Sequence, residues 1–228
     1  MTPIEKPHFL GHRKRLKEKF LQCESTLPDY EILELLLFSS HARADMKPLA
    51  KKLLQHFGSI NSVLCADTES LKTFEEVNNN VLVSLKLIRE IILRSAKQKV
   101  LGKDMIKNWE ELESYCQTFM KDLKEEQFRV LFLDKKHQLI ADELLKSGGI
   151  ESVEVDIRDL VKKSLNYCAK SVILLHNHPH LDSKPSKADI VNTNSIVAGL
   201  KTVGITVLDH LIIGKNGDLF SFKAENLI

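Results

Sequence analysis

The chain has 228 residues, 33 Lys and Arg against 31 Asp and Glu, and 43% hydrophobic content, the profile of a soluble globular protein of one or two domains. That composition excludes a disordered chain and a collagen-like repeat. No apolar run approaches the roughly 18 residues of a membrane span, and Met1-Thr2-Pro3-Ile4-Glu5-Lys6 lacks the apolar core of a signal peptide, so a cytoplasmic location is expected.

The net charge of +2 conceals an asymmetry: residues 1–103 hold 17 basic and 12 acidic side chains, and the remainder 16 and 19. In the densest cluster, His12-Arg13-Lys14-Arg15-Leu16-Lys17-Glu18-Lys19, the residues Arg13, Lys14, Arg15 and Lys17 are candidates for phosphate contacts on DNA. A solvated helix face has the same composition. From Gly11 to about Lys99 the apolar residues recur at helical spacing, as in Leu33, Leu36, Leu37 and Leu49, Leu53, Leu54, which predicts four or five short helices. Pro28-Asp29-Tyr30-Glu31 reads as a helix start, Gly58 as a helix-ending glycine, and residues 81–97 as the last helix of this half.

After Gly102 the pattern changes to β-rich runs at 128–133, 138–140, 171–175, 206–213 and 218–222, with helical stretches near 109–123, 156–168 and 187–202. The order α-β-β-α-β-α-β-β predicts an α/β domain with a mixed sheet over residues 101–228. A small all-helical domain over residues 1–100 precedes it, with a linker around residues 98–108. No CxxC pair suggests a metal knuckle or a redox couple, and Cys168, in an amphipathic stretch, is expected to be buried packing.

The chemistry concentrates in residues 176–189. His176 and His178 follow a buried strand, so as alternate residues of an extended chain they share a face, and Pro179 then turns the chain. Ser186 and Asp189 have N-cap and N3 spacing for a helix from Lys187 to about Thr202 with a core-facing stripe of Ile190, Val197 and Leu200. Two imidazoles and a carboxylate suit one Zn²⁺ per chain that keeps its fourth position open for water. The same Ser and Asp also suit a plain cap with a first-turn acid. A base must approach from another strand; Glu143 is the candidate, with Asp142 as the alternative.

His176-Asn177-His178-Pro179, Ser186 and Asp189 match the JAMM motif of the JAB/MPN superfamily of zinc metalloproteases: His-x-His, seven residues, Ser, two residues, Asp. Phe128–Asp134, Ser171–Leu175 and Leu208–Gly214 resemble the RadC branch of that superfamily. The resemblance implies a mixed-sheet JAB/MPN-like domain with His176, His178 and Asp189 as zinc ligands and Glu143 as the base. It makes Ser186 a hydroxyl that supports the oxyanion. The implied reaction is cleavage of a peptide or isopeptide bond in a peptide or protein substrate. The first half resembles the helical region that precedes this domain in the family, where a helix-hairpin-helix often carries a Gly-x-Gly turn against a DNA phosphate. Here that place reads Phe74-Glu75-Glu76-Val77-Asn78-Asn79-Asn80, with both glycines missing. That loss argues against sequence-independent DNA binding; the alternative function, motivated by the basic first half and the family's history, is a DNA-associated repair or recombination accessory protein with a regulatory or inactive metal domain. A second departure is Val155-Asp156-Ile157-Arg158-Asp159, where relatives have His-Pro or Tyr-Pro before the Arg; it is expected to alter substrate contacts and leave metal binding intact.

Overall fold

The computed structural model describes residues 9–23, 26–41, 44–147 and 155–228. The chain divides into two compact units, Met1–Ile92 and Leu93–Ile228. Among the described residues no helix is long and apolar enough to cross a membrane.

The first unit is helical: α1 (Phe9–Gln22), α2 (Asp29–Leu37), α3 (Lys47–Phe57), α4 (Ile60–Cys65), α5 (Thr68–Lys72) and the start of α6 (Asn79–Val100). Pro28 is the N-cap of α2, and Gly58 ends α3 at φ 89°, a left-handed conformation open to glycine. Six helices stand among the described residues where four or five were predicted; the shortest, α4 and α5, are too short to show a periodicity. Each is started by a side chain, Ser59 accepting from the Ser62 amide and Asp67 from the Ser70 amide. Leu33, Leu37, Leu49, Leu53, Leu71, Val81 and Leu85 form the core of this unit.

The second unit is a five-stranded sheet between helical layers, in the predicted order: α7 (Trp109–Met120), β1 (Gln127–Leu133), β2 (Leu139–Ser147), α8 (Ile157–Asn166), β3 (Ser171–His178), α9 (Lys187–Lys201), β4 (Thr206–Gly214) and β5 (Leu219–Ser221). The spatial order is β2-β1-β3-β4-β5. Among the described residues only β3 and β4 pair in parallel, joined by the crossover helix α9, which a parallel pair requires. One face packs against α7 through Leu131, Leu133, Ile173, Leu175, Leu211 and Ile213. The other packs against α8 and α9 through Phe128, Val130, Phe132, Val172, Leu174, Leu160, Ile196 and Leu200. Strand β3 is buried along its whole length, which is why it reads as an unbroken apolar run rather than an alternation.

Three local expectations are corrected. Strand β2 continues through Asp142-Glu143-Leu144-Leu145-Lys146 to Ser147; that stretch has little β propensity and is held by pairing with β1. Cys168 is exposed rather than buried, because it lies just past α8 at φ 52° in the turn where the Ala169 amide donates to the Ser164 carbonyl. The buried face of α9 is Thr193, Ile196 and Leu200, with Ile190 and Val197 only half-buried.

Candidate metal centre

The parallel pair β3 and β4 sets the site at the carboxyl end of β3. Val172 and Leu174 face α8 and α9, so the alternation continues with His176 and His178 on that same face. Helix α9 starts beside them. Ser186 is its N-cap, its hydroxyl accepting from the Asp189 amide at 3.1 Å, while the Ser186 amide and hydroxyl donate to Asp189 Oδ2 at 2.8 and 2.7 Å. The capping box thereby fixes a carboxylate in the first helical turn and aims it at the strand end.

The result is a cluster in which one donor atom from each of His176, His178 and Asp189 lies within 4.8 Å of the others. His176 Nε2 is 3.9 Å from Asp189 Oδ1, and His178 Nε2 is 3.4 Å from Asp189 Oδ2. Ligands ~2.0–2.2 Å from a four-coordinate ion lie ~3.3–3.6 Å apart, so small rotamer adjustments bring this set onto a cation. The tautomers suit that use. His178 Nδ1 lies 2.9 Å from the Asp182 carbonyl, which only accepts, so Nδ1 carries a proton and Nε2, which faces Asp189, is the nitrogen left to meet a cation. The loop carrying Asp182 is itself tied down: the Ser183 amide donates to Asp218 Oδ2 and the Lys215 amide to the Leu181 carbonyl.

Behind the cluster, Thr193 Oγ1 donates to the Asp189 carbonyl at 2.6 Å and therefore accepts from His210 Nδ1 at 2.7 Å. Among the described residues His210 Nε2 and His176 Nδ1 are both buried with no hydrogen-bond partner.

Electrostatics separate these side chains. Burial pushes His176 down to about 4 and His210 down to about 3. Burial also works against charge on His178, but the hydrogen bonds to Asp189 and Asp182 outweigh it and move this ring up. Asp189 is opposed by burial as well, yet the hydrogen bonds from His178 and Ser186 hold it well below the usual carboxylate range. Near neutral pH the cluster thus offers an ionised carboxylate on Asp189 and a neutral imidazole on His176.

A cavity of about 430 Å³ opens over the cluster, lined by His176, His178, Ser186, Asp189, Leu181 and Glu126. Glu126 immediately precedes β1. Because Phe128 pairs with His176, the same antiparallel register carried two residues outward sets Glu126 opposite His178. Burial pushes the Glu126 carboxyl up, with the His178 charge opposing and the Asp189 charge adding to the rise. Sequence reading missed this residue because Lys124-Glu125-Glu126 looks like a solvated charge run; the signal was its even spacing from Phe128, Val130 and Phe132 on the site-facing side of β1.

The structure does not bring Glu143 to the cluster. It pairs with Val130 on β1, and Val130 pairs with Leu174, one pleat short of His176 and two strands away, or roughly 12 Å from it at standard strand spacings. Its carboxylate is taken by Lys163 at 2.5 Å and by the Tyr167 hydroxyl, both on or just after α8. Asp142 points to the opposite face, where it accepts from Arg129 at 2.8 Å and from Tyr115 at 2.6 Å. In the first unit Arg13 donates to the carbonyls of His41 and Ala44 and lies 4.5 Å over the Phe38 ring, so it is a structural tie rather than a side chain presented to solvent. Lys14, Arg15 and Lys17 are exposed, Lys14 lying 3.8 Å from Glu18. In the glycine-free turn, Asn78 Oδ1 accepts from the Val81 amide and Glu76 pairs with Lys52 at 2.7 Å. Asp156 of the divergent Val155–Asp159 segment is the N-cap of α8.

Comparison with known proteins gives two findings. The family model described as "RadC-like JAB domain" matches residues 106–227. The UPF0758 protein SPO0054 of Ruegeria pomeroyi is 44% identical over 218 residues, which cover 95% of this chain and 97% of that protein.

Proposed function

Since the chain belongs to the RadC-like JAB domain family, we propose that it is a zinc-dependent hydrolase of peptide or isopeptide bonds, with one Zn²⁺ held by His176, His178 and Asp189. The observation that carries this reading is the convergence of two imidazoles and a carboxylate in one cavity with a second acid, Glu126. Bound there, zinc would polarise a scissile carbonyl and lower the pKa of a coordinated water to about 7.

The chain's own groups supply the remaining chemistry. Glu126 takes the proton of the attacking water and later delivers it to the departing amine; burial raises its pKa, the direction that helps a carboxylate hold and return a proton. The Ser186 hydroxyl, spent on Asp189 in the resting site, turns outward to donate to the oxyanion. Asp189 loses one hydrogen bond in that exchange and keeps the Ser186 amide. Leu181 and Pro185 at the cavity wall offer an apolar contact for a substrate side chain. Glu143 serves the fold, pinning α8 to β2.

The test is hydrolysis of a mixed peptide and lysine-isopeptide library by the zinc-loaded protein, read by mass spectrometry. Cleavage that is lost on chelation, restored by zinc and absent from His178→Ala supports the proposal. Cleavage indifferent to chelation, or none with stoichiometric zinc bound, overturns it.

A further inference from the structure

Asn177 stands between the two histidines on β3, and its side chain points to the other face of the strand. It is 1% exposed. The β1–β3 ladder ends at Phe128 and His176, so the next rung would join Gln127 to Asn177. The Asn177 side chain makes that rung instead. Its Oδ1 accepts from the Gln127 amide at 2.8 Å, and its Nδ2 donates to the Glu125 carbonyl at 3.1 Å. Those two backbone groups flank Glu126 on either side.

We infer that Asn177 is a positioning residue for Glu126: one buried amide, carried on the strand that supplies both histidines, clamps the backbone on each side of the acid and fixes its reach into the cavity. The role assigned to Glu126 rests on the proposed function; the clamp rests on the two hydrogen bonds. An amide is the side chain that fits, since one end must accept from an N–H while the other donates to a carbonyl. Asp keeps the first bond and turns the second into a repulsion between two acceptors, and Leu keeps the volume and loses both. Because Asn177 faces away from the cavity, neither substitution touches His176, His178 or Asp189.

Two measurements on the full chain test this. In the metal-free protein, ¹⁵N relaxation at Glu126 and hydrogen exchange at the Gln127 amide should show a segment as ordered as β1 in wild type and a loosened one in Asn177→Leu and Asn177→Asp, with the His176 and His178 ring signals unmoved. In the zinc-loaded protein both variants should lose 10- to 100-fold in kcat at unchanged KM and zinc affinity, as a misplaced base would. The same substitutions made in Glu126→Gln should cost nothing further, because the group they position is already gone. Equal losses in both backgrounds, or a segment as rigid in the variants as in wild type, would overturn the clamp. If Asn177→Leu fails to fold, Asn177→Asp carries both measurements. A wild-type protein without hydrolytic activity would sink the proposed function and leave the clamp to be judged by relaxation and exchange.

Discussion

Replacing Glu126 and Glu143 by Gln, one at a time, separates an acid that acts on substrate from one that holds the fold. Glu126 lines the cavity over the histidines, and no hydrogen bond to its carboxylate is seen among the described residues. Glu126→Gln should lower kcat by about 10²- to 10⁴-fold, some 3–5 kcal/mol of barrier, the usual contribution of a positioned base. The fold and the zinc content should persist. Glu143 sits two strands away in a half-exposed ion pair with Lys163, the side chains 26% and 31% exposed, and also accepts from Tyr167. Solvent screening limits such a pair to about 1 kcal/mol, and Gln retains an acceptor, so Glu143→Gln should lower Tm by about 1–4 °C and leave turnover within twofold. The assay is paired: thermal melts of each variant, and cleavage of the best library substrate after zinc loading. Intact zinc and fold with turnover lost in Glu143→Gln and kept in Glu126→Gln would refute the assignment.

Other consequences follow from single contacts. Arg13→Ala removes two hydrogen bonds to carbonyls and a ring contact and should cost about 2–3 kcal/mol in chemical denaturation, whereas Lys17→Ala should change it by less than about 0.5 kcal/mol; equal small effects would show that Arg13 is not a tie. A Cβ on Gly214 would lie 2.5 Å from Asp218 Oδ1 and 2.6 Å from the Ser183 amide nitrogen, so Gly214→Ala must displace the loop that holds the Asp182 carbonyl on His178. Zinc affinity should fall about 10- to 100-fold by competition titration, and an unchanged affinity would show that the loop does not orient the ligand. For pH, burial holds the folded-state values of His210 and His176 at about 3 and about 4, below the ordinary 6.5. The unfolded chain therefore binds their protons first, so the stability they support is complete above about pH 6.5 and declines as pH falls toward 4 and 3. His178, moved up, contributes with the opposite sign, gaining below its folded value. In urea denaturation of the metal-free protein, stability should fall from pH 7 to 4 and fall less steeply in His210→Phe; identical slopes would contradict the burial argument.

The fold class was legible because β3 is buried on both faces and α7–α9 carry helical periodicity between β-rich runs. The cluster was legible for a related reason: His176, His178, Ser186 and Asp189 lie close along the chain, on a strand end and a helix start whose local rules fix their directions. The nearness of Glu126 to the cluster was harder to read: its even spacing from Phe128, Val130 and Phe132 gives its face, but its place opposite His178 depends on the long-range register between β1 and β3. Glu143, read from its strand alone, lies two strands away from His176. Arg13 misled similarly, since a basic run on α1 does not reveal which of its members turns back onto the carbonyls of His41 and Ala44. Cys168 was misplaced because an amphipathic pattern cannot show that the helix ends two residues earlier.

Zinc content after loading and extensive dialysis, measured by elemental analysis beside native mass spectrometry, bears most directly on the centre formed by His176, His178 and Asp189. One zinc per wild-type chain is expected, falling below a tenth in His178→Ala and Asp189→Asn while Glu143→Gln keeps its full complement. Wild-type protein that retains no zinc, or a His178→Ala variant that retains as much as wild type, would contradict the assignment of this cluster as a metal centre.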